Sequence, residues 1–186
     1  MSRTLLLPIA LLGVALTSGC SMVAPRYTPS LENVQTLKDS GAQATNVGTF
    51  ESTTTKENPK AISIRGSSLN SPYDGSYGNY LADALKQELT LANKLAPDAQ
   101  IQVTGALQKN DINAAIGTAT GDIAARFVVT RGGAVRYDQV KSIHDEWESS
   151  FVGAVAIPRA QQRYPVMVQK LLAALYADPA FVQALK

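Results

Sequence analysis

Several things are scarce in this chain of 186 residues, and each scarcity excludes something. There is one cysteine, so no disulfide can form within it, and one histidine, so a multi-histidine metal site is excluded. Charged residues make up only 17%, and 17 Lys+Arg stand against 15 Asp+Glu. The resulting charge of +2 excludes a strongly basic nucleic-acid binder. No apolar run reaches the roughly 20 residues that a transmembrane helix needs. There is no Gly-x-Ser-x-Gly elbow, no Gly-x-Gly-x-x-Gly loop and no paired His or Cys spacing of the kind zinc sites use. No internal repeat is visible. What is present is a 45% hydrophobic content, enough for the core of one ordinary domain and against disorder throughout.

The first twenty residues read MSRTLLLPIALLGVALTSGC. Arg3 supplies a positive start, and Leu5 to Leu16 is apolar apart from Pro8 and Gly13. Thr17, Ser18 and Gly19 are small, as a signal-peptidase site requires, and the chain's lone cysteine, Cys20, follows them. This segment resembles the bacterial lipoprotein signal, whose lipobox ends in a small residue before Cys. It departs from the usual pattern at Thr17, where Leu is commonest. The resemblance implies removal of residues 1–19 and acylation of Cys20. Each buried CH₂ contributes about 0.8 kcal/mol, and one acyl chain alone binds only marginally. Three chains on one residue make release negligible. Under the enterobacterial sorting rule, Ser21 rather than Asp after the cysteine implies the outer membrane, with the domain in the periplasm.

Residues 20–46 read as the lipidated cysteine and a polar tether, and 47–186 as a single domain. Ser30 suits the cap of a short helix carrying Leu31, Val34 and Leu37, which ends before Gly41. If residues 21–46 were unfolded throughout they would span about 28 Å. Val47 to Glu51 reads as a short strand and Ser52 to Pro59 as a loop. Ala61 to Arg65 is a strand with Ile62 and Ile64 on one face, and Gly66 to Gly78 a loop. Asn79 to Leu95 is helical, with Leu81, Leu85, Leu89 and Ala92 in one stripe; Asp83, Lys86, Gln87 and Glu88 lie mostly off it. Gln100 to Gln108 is a strand.

Gly121 to Phe151 reads as a long hairpin, with Ile123, Ala125, Phe127 and Val129 alternating. Val135, Tyr137, Ile143, Trp147 and Phe151 share one parity of its second strand. A three-residue loop, Arg131 to Gly133, pairs Val129 with Val135 and Phe127 with Tyr137, keeping both apolar sets together. A second long helix takes Pro165 in its first turn and buries Val168, Leu171, Leu172 and Leu175. Asp178-Pro179 starts a last helical turn with Phe181, Val182 and Leu185. The order predicts an α+β two-layer sandwich. Its mostly antiparallel sheet has about four to five strands, with two main helices on one face. The other face carries Arg126, Arg136, Asp138, His144, Glu146 and Glu148. Lipobox, short tether and this layout together resemble the small accessory lipoproteins of envelope assembly and transport: the lipopolysaccharide-assembly, ABC-transport auxiliary and YajG-type lipoproteins. That resemblance transfers no functional residue except Cys20.

Four constellations invite chemistry. His144, Glu146 and Glu148 share a strand face, with Asp145 opposite, which fits either a solvated charged face or a weak ion site. Gly75-Ser76-Tyr77-Gly78 precedes a helix, as phosphate loops do, but also suits a turn of helix entry. Tyr73, Tyr77 and Tyr80 lie within a short Gly- and Ser-rich stretch and suit a partner or glycan contact, with Tyr80 also a core candidate. Arg159 and Arg163 precede the last helix and suit an acidic partner or lipid phosphate. Trp147 reads as core or half-buried packing. No catalytic set, metal site or cofactor is expected. The expectation is therefore a non-enzymatic, lipid-anchored adaptor binding an envelope protein. The alternatives are a periplasmic binder of lipid, glycan or peptide, and an envelope enzyme built on His144.

Overall fold

The computed structural model describes residues 20–186, so the signal-like segment lies outside the described residues. The elements are β1 (Ser21–Val23), α1 (Leu31–Asp39), β2 (Thr45–Glu51), β3 (Ile62–Ile64), β4 (Ser67–Asn70), α2 (Tyr77–Leu91), β5 (Ile101–Asn113), β6 (Gly117–Arg131), β7 (Ala134–Ser149), α3 (Gly153–Tyr176) and α4 (Pro179–Ala184). The main sheet has the order β2-β5-β6-β7, and only its β2–β5 pair is parallel. A small second sheet has the order β1-β4-β3. Helix α2 packs on β2, and α3 on β6 and β7. This is the α+β layering that the alternation of strands and helices predicts.

The core follows from simple periodicities. On β6 the side chains of Ile123, Ala125, Phe127 and Val129 are all buried, whereas Arg126 between them is exposed. Leu81, Leu85 and Leu89 of α2 and Leu171, Leu172 and Leu175 of α3 meet that face. Burying each such Leu contributes about 1.5–3 kcal/mol. Asn58, also buried, pins the polar loop before β3: its amide donates to the Leu107 carbonyl at 3.1 Å.

Four expectations are corrected. First, residues 20–46 are not a spacer. β1 pairs in parallel with β4, α1 buries Val34 and Leu37, and Ala24 and Tyr27 lie in the core. The folded unit therefore includes residues 20–46 rather than starting at residue 47. Polar composition hid this, because the few apolar residues there are spaced for a core built elsewhere in the chain. Second, the Gly66–Gly78 loop contains β4, whose Ile64↔Ser67 pairing with β3 closes a two-residue turn at Arg65-Gly66. Third, the β6–β7 turn has two residues, Gly132 and Gly133, both at positive φ (56° and 82°). Such values suit the tight turn that matches strand twist and favour glycine. A bulge then restores parity: Thr130 pairs with Val135, but Val129 with Tyr137. Val135 is thereby turned to solvent and Tyr137 to the core. Fourth, α3 does not start near Pro165. It runs 24 residues through both Pro158 and Pro165. The ring of each proline removes one backbone donor, and both lie outside the buried stripe Ala156, Ala160, Tyr164, Val168.

Candidate functional site

Cys20 is exposed and stands at the entrance of β1, where its carbonyl accepts from the Ser68 amide at 3.0 Å. The next ten residues are held by the body at almost every step. Ala24 N donates to Asn70 O (2.8 Å), Tyr80 Oη to Pro25 O (2.8 Å), Gln161 Nε2 to Val23 O (2.6 Å) and Gln169 Nε2 to Thr28 O (2.8 Å). The centre of this clamp is Glu88, fully buried on α2. Its Oε1 accepts from Tyr27 Oη (2.5 Å), the Ser30 amide (3.0 Å) and Asn33 Nδ2 (3.2 Å). Burial, followed by the adjoining Glu88, pushes the Tyr27 hydroxyl far above the ordinary phenol range. The same two causes raise Tyr176.

The tyrosine-rich stretch is thus explained from inside the chain. Tyr77 is in the core, donates to Leu69 O at 2.9 Å and packs on Tyr164 at 4.9 Å between ring centroids. Tyr80 meets Tyr27, Tyr73 and Tyr164 edge-on. What these rings recognise is the protein's own N-terminal segment. Of the expected contact residues, Tyr77 is therefore inaccessible. Of the three tyrosines in the stretch, Tyr73 reaches the surface, under the Arg26 guanidinium (5.3 Å) in an open groove of about 350 Å³ shared with Asp74, Asp83 and Lys86. The Gly75–Gly78 segment is a helix entry: Ser76 caps α2 by accepting from the Asn79 amide. Gly78 is required by close packing, since a Cβ there would lie 2.3 Å from the Phe50 carbonyl oxygen.

Arg159 and Arg163 lie one turn apart on α3, and both clamp that helix to β7. Arg159 Nη1 donates to the Glu148 carbonyl at 3.0 Å. Arg163 grips the buried Asp145 (Nε to Oδ2, 2.5 Å) and lies 5.8 Å over the half-buried Trp147 ring. Lys170 also bonds Asp145. Burial favours a neutral Asp145, but hydrogen bonds from Arg163 and Lys170 outweigh it and hold the carboxyl below its usual range. Arg163 is thus committed to the fold, and neither arginine shares a site with Tyr73.

The outer face of the main sheet carries the expected charges in the open. Arg126 pairs with Asp138, and Lys109 with Asp122. His144 is exposed between Asp122 (3.0 Å) and Glu146 (3.2 Å), whose hydrogen bonds raise its pKa. Among the described residues no cluster of three or more His, Cys, Asp or Glu has metal-holding geometry. Beside Arg126 lies a shallow depression of about 310 Å³, lined also by Thr49, Glu51, Gly105, Ala106 and Val128. No described helix is long and apolar enough to cross a membrane. Two features had escaped the sequence reading. Glu88 sits at the margin of an apolar helical stripe, which gives no sign that three donors converge on it. Phe151, assigned by parity to the core, is 76% exposed because β7 ends at Ser149.

No family model and no curated protein matches the chain. Solved structures do match its fold. Protein XCC0632 of Xanthomonas campestris, of the DUF330 family, superposes with a TM-score of 0.58 at 10% identity, over 88% of this chain and 96% of its own. The hypothetical protein CT253 of Chlamydia trachomatis gives a TM-score of 0.50 at 10% identity, over 77% of this chain and 99% of its own. A "putative lipoprotein" of Caulobacter crescentus gives 0.47 at 12% identity, over 83% and 98%. At these identities the first two likenesses establish a shared α+β fold and nothing about activity.

Proposed function

We propose that this chain is a non-catalytic, lipid-anchored accessory lipoprotein of the bacterial cell envelope. Its domain stands in the periplasm at the outer membrane and receives a partner protein on the open face of the main sheet. One observation carries the reading: the only cysteine closes a lipobox-like run, and it is exposed while its carbonyl is bonded directly to the folded body. The sheet face supports the second half, with the Arg126–Asp138 pair beside a depression lined by Gly105, Ala106 and Val128. A pocket-binding role has less support, because the groove at Tyr73 is open and Tyr77 does not line it.

The test has two readouts in the native host. Mass spectrometry of the mature chain should find an acylated Cys20 and no residues 1–19; an unmodified thiol would refute the lipoprotein reading. A photo-crosslinking residue at Val128 should then trap one envelope protein, and Arg126→Glu should weaken that adduct. An acylated chain with no Val128 adduct would refute the adaptor role alone.

A further inference from the structure

We infer that the Cys20 end of the domain is itself a membrane-contacting surface: an apolar rim, with the Arg65 guanidinium turned inward on backbone carbonyls, that rests in the headgroup region beside the lipid anchor. The inference builds on the reading of Cys20 as acylated. Three pieces of chain meet at that end. Because β1 and β4 run parallel, Cys20 lies at the start of β4, next to the Arg65-Gly66 turn. Arg65 then ties this turn to the other two pieces. Its Nε donates to Ala114 O (2.7 Å), its Nη2 to Ser150 O (2.8 Å) and its Nη1 to Phe151 O (3.1 Å). The guanidinium is thereby spent on backbone carbonyls, and it brings the β5–β6 tip and the β7–α3 junction to the cysteine.

Both of those pieces present large apolar side chains to the outside. Ile116 is 71% exposed and Phe151 76%, and Val152 and Val155 stand beside Phe151 at the start of α3. Gly117 pairs with Ser149, so the segments carrying Ile116 and Phe151 leave the β6–β7 pair at the same end. The sequence around them lacks charge: none occurs in residues 112–121 or 149–158. Exposed apolar side chains scattered singly need no explanation, but four on two charge-free segments at one end do.

The position of the anchor points to a bilayer rather than a protein as the occupant. With no slack between Cys20 and the folded body, three acyl chains on that residue place this end at the membrane. The opposite end is kept away from the membrane. The β6–β7 turn lies at the far end of the 15-residue β6, roughly 45 Å away at about 3.3 Å per residue. An open cavity there is lined by Arg131, Arg136 and Lys186. Those cations would favour anionic headgroups, yet the anchor holds them away from the surface.

The test uses the mature acylated chain in vesicles of phosphatidylethanolamine and phosphatidylglycerol. Acylation occupies the Cys20 thiol, so Ile116→Cys, Phe151→Cys and Val135→Cys each provide one site for a nitroxide label. Mass spectrometry first verifies the acyl groups, and circular dichroism verifies the fold. The labels at 116 and 151 should be severalfold less accessible to a water-soluble nickel complex than the label at 135, and more accessible to oxygen. Equal nickel accessibility at all three sites in an acylated protein would overturn the membrane face and leave the anchor standing. Spin–spin broadening at 116 or 151 would also overturn it, by assigning this end to a second copy of the chain. An unacylated Cys20 would overturn the anchor and the inference together.

Discussion

Glu88 offers the sharpest test of how the Cys20 segment is held. Glu88→Ala leaves Tyr27 Oη, the Ser30 amide and Asn33 Nδ2 without the acceptor they share. Each buried donor left unpaired costs about 1–3 kcal/mol, and the truncation adds a cavity. Against this stands the desolvation cost of the carboxyl group itself, which the variant no longer bears. Asn33 Nδ2 also keeps a second acceptor, the Gln169 carbonyl at 3.0 Å. With two donors left without an acceptor and the cavity added, the expected net loss is about 3–5 kcal/mol. For a domain of this size that lowers Tm by roughly 6–20 °C. Glu88→Gln keeps the volume and one acceptor oxygen, and should lose only about 1–2 kcal/mol. Urea unfolding followed through the Trp147 fluorescence measures both. Limited proteolysis adds the spatial readout: Glu88→Ala should open cleavage within 21–46 before the rest of the chain. Tyr27→Phe combined with Glu88→Ala should be markedly less than additive, because the two changes remove the same contact. A Glu88→Ala loss under about 1 kcal/mol, or an unchanged cleavage pattern, would refute the view that this side chain secures the segment.

Two further outcomes are expected. The hydrogen bond from Lys141, helped by those from Tyr137 and the Ala180 amide, holds the Asp178 carboxyl down to about 2 against the opposing effect of burial. A depressed folded value means that its contribution is complete above the unfolded value near pH 4 and is lost as pH falls toward 2. Asp178→Ala should therefore cost about 1–2 kcal/mol at pH 7, mainly as a lost helix cap, and the gap to wild type should narrow between pH 4 and pH 2. A gap of constant size in acid denaturation curves would refute that assignment. Gly78→Ala sets about 1 kcal/mol of helix propensity against a Cβ placed 2.3 Å from the Phe50 carbonyl oxygen. Because that neighbour is backbone, overpacking of about 1–3 kcal/mol should win, and a stabilised variant in thermal melts would refute the α2–β2 spacing.

The long elements were legible because their periodicity extends over many residues. The stripes Leu81-Leu85-Leu89 and Ile123-Ala125-Phe127-Val129 specify helix and strand without outside help, and the layering follows from them. What was not legible depends on partners distant in sequence. Met22, Ala24 and Tyr27 are too few to declare a core, and become one only where Leu69, Tyr80 and Glu88 receive them. The hairpin register rested on counting parity from a three-residue loop. The real turn is shorter, and the bulge after Val129 repairs the parity, so Tyr137 lands opposite Val129 by a route that alternation does not encode. Prolines misled in α3 because a proline at a helix start and one on an exposed helical flank look alike in sequence. At the surface, residue type predicted exposure for His144 and Arg126 but not role for Arg163, whose partner Asp145 is a buried acid on another element.

The absence of a spacer changes what the molecule can do once Cys20 carries lipid. A tether of about 28 Å would let the domain sample many orientations and meet partners by search. Here β1 begins at Ser21 and is paired from its first residue, so anchor and body move as one. The long strands β6 and β7 then point away from the anchor, and the open sheet face stands to the side of the membrane normal. A partner docking on Arg126, Asp138 and Val128 would approach laterally, at a fixed height set by the length of β6. That geometry favours a component already standing in the envelope over a soluble one arriving from any direction. It also gives a clean perturbation: a flexible Gly-Ser insert between Cys20 and Ser21 should leave acylation intact and the fold unchanged by circular dichroism. The Val128 crosslink should fall, because every geometry that includes the partner now competes with many that do not. An undiminished crosslink with a long insert would show that fixed height plays no part in recognition.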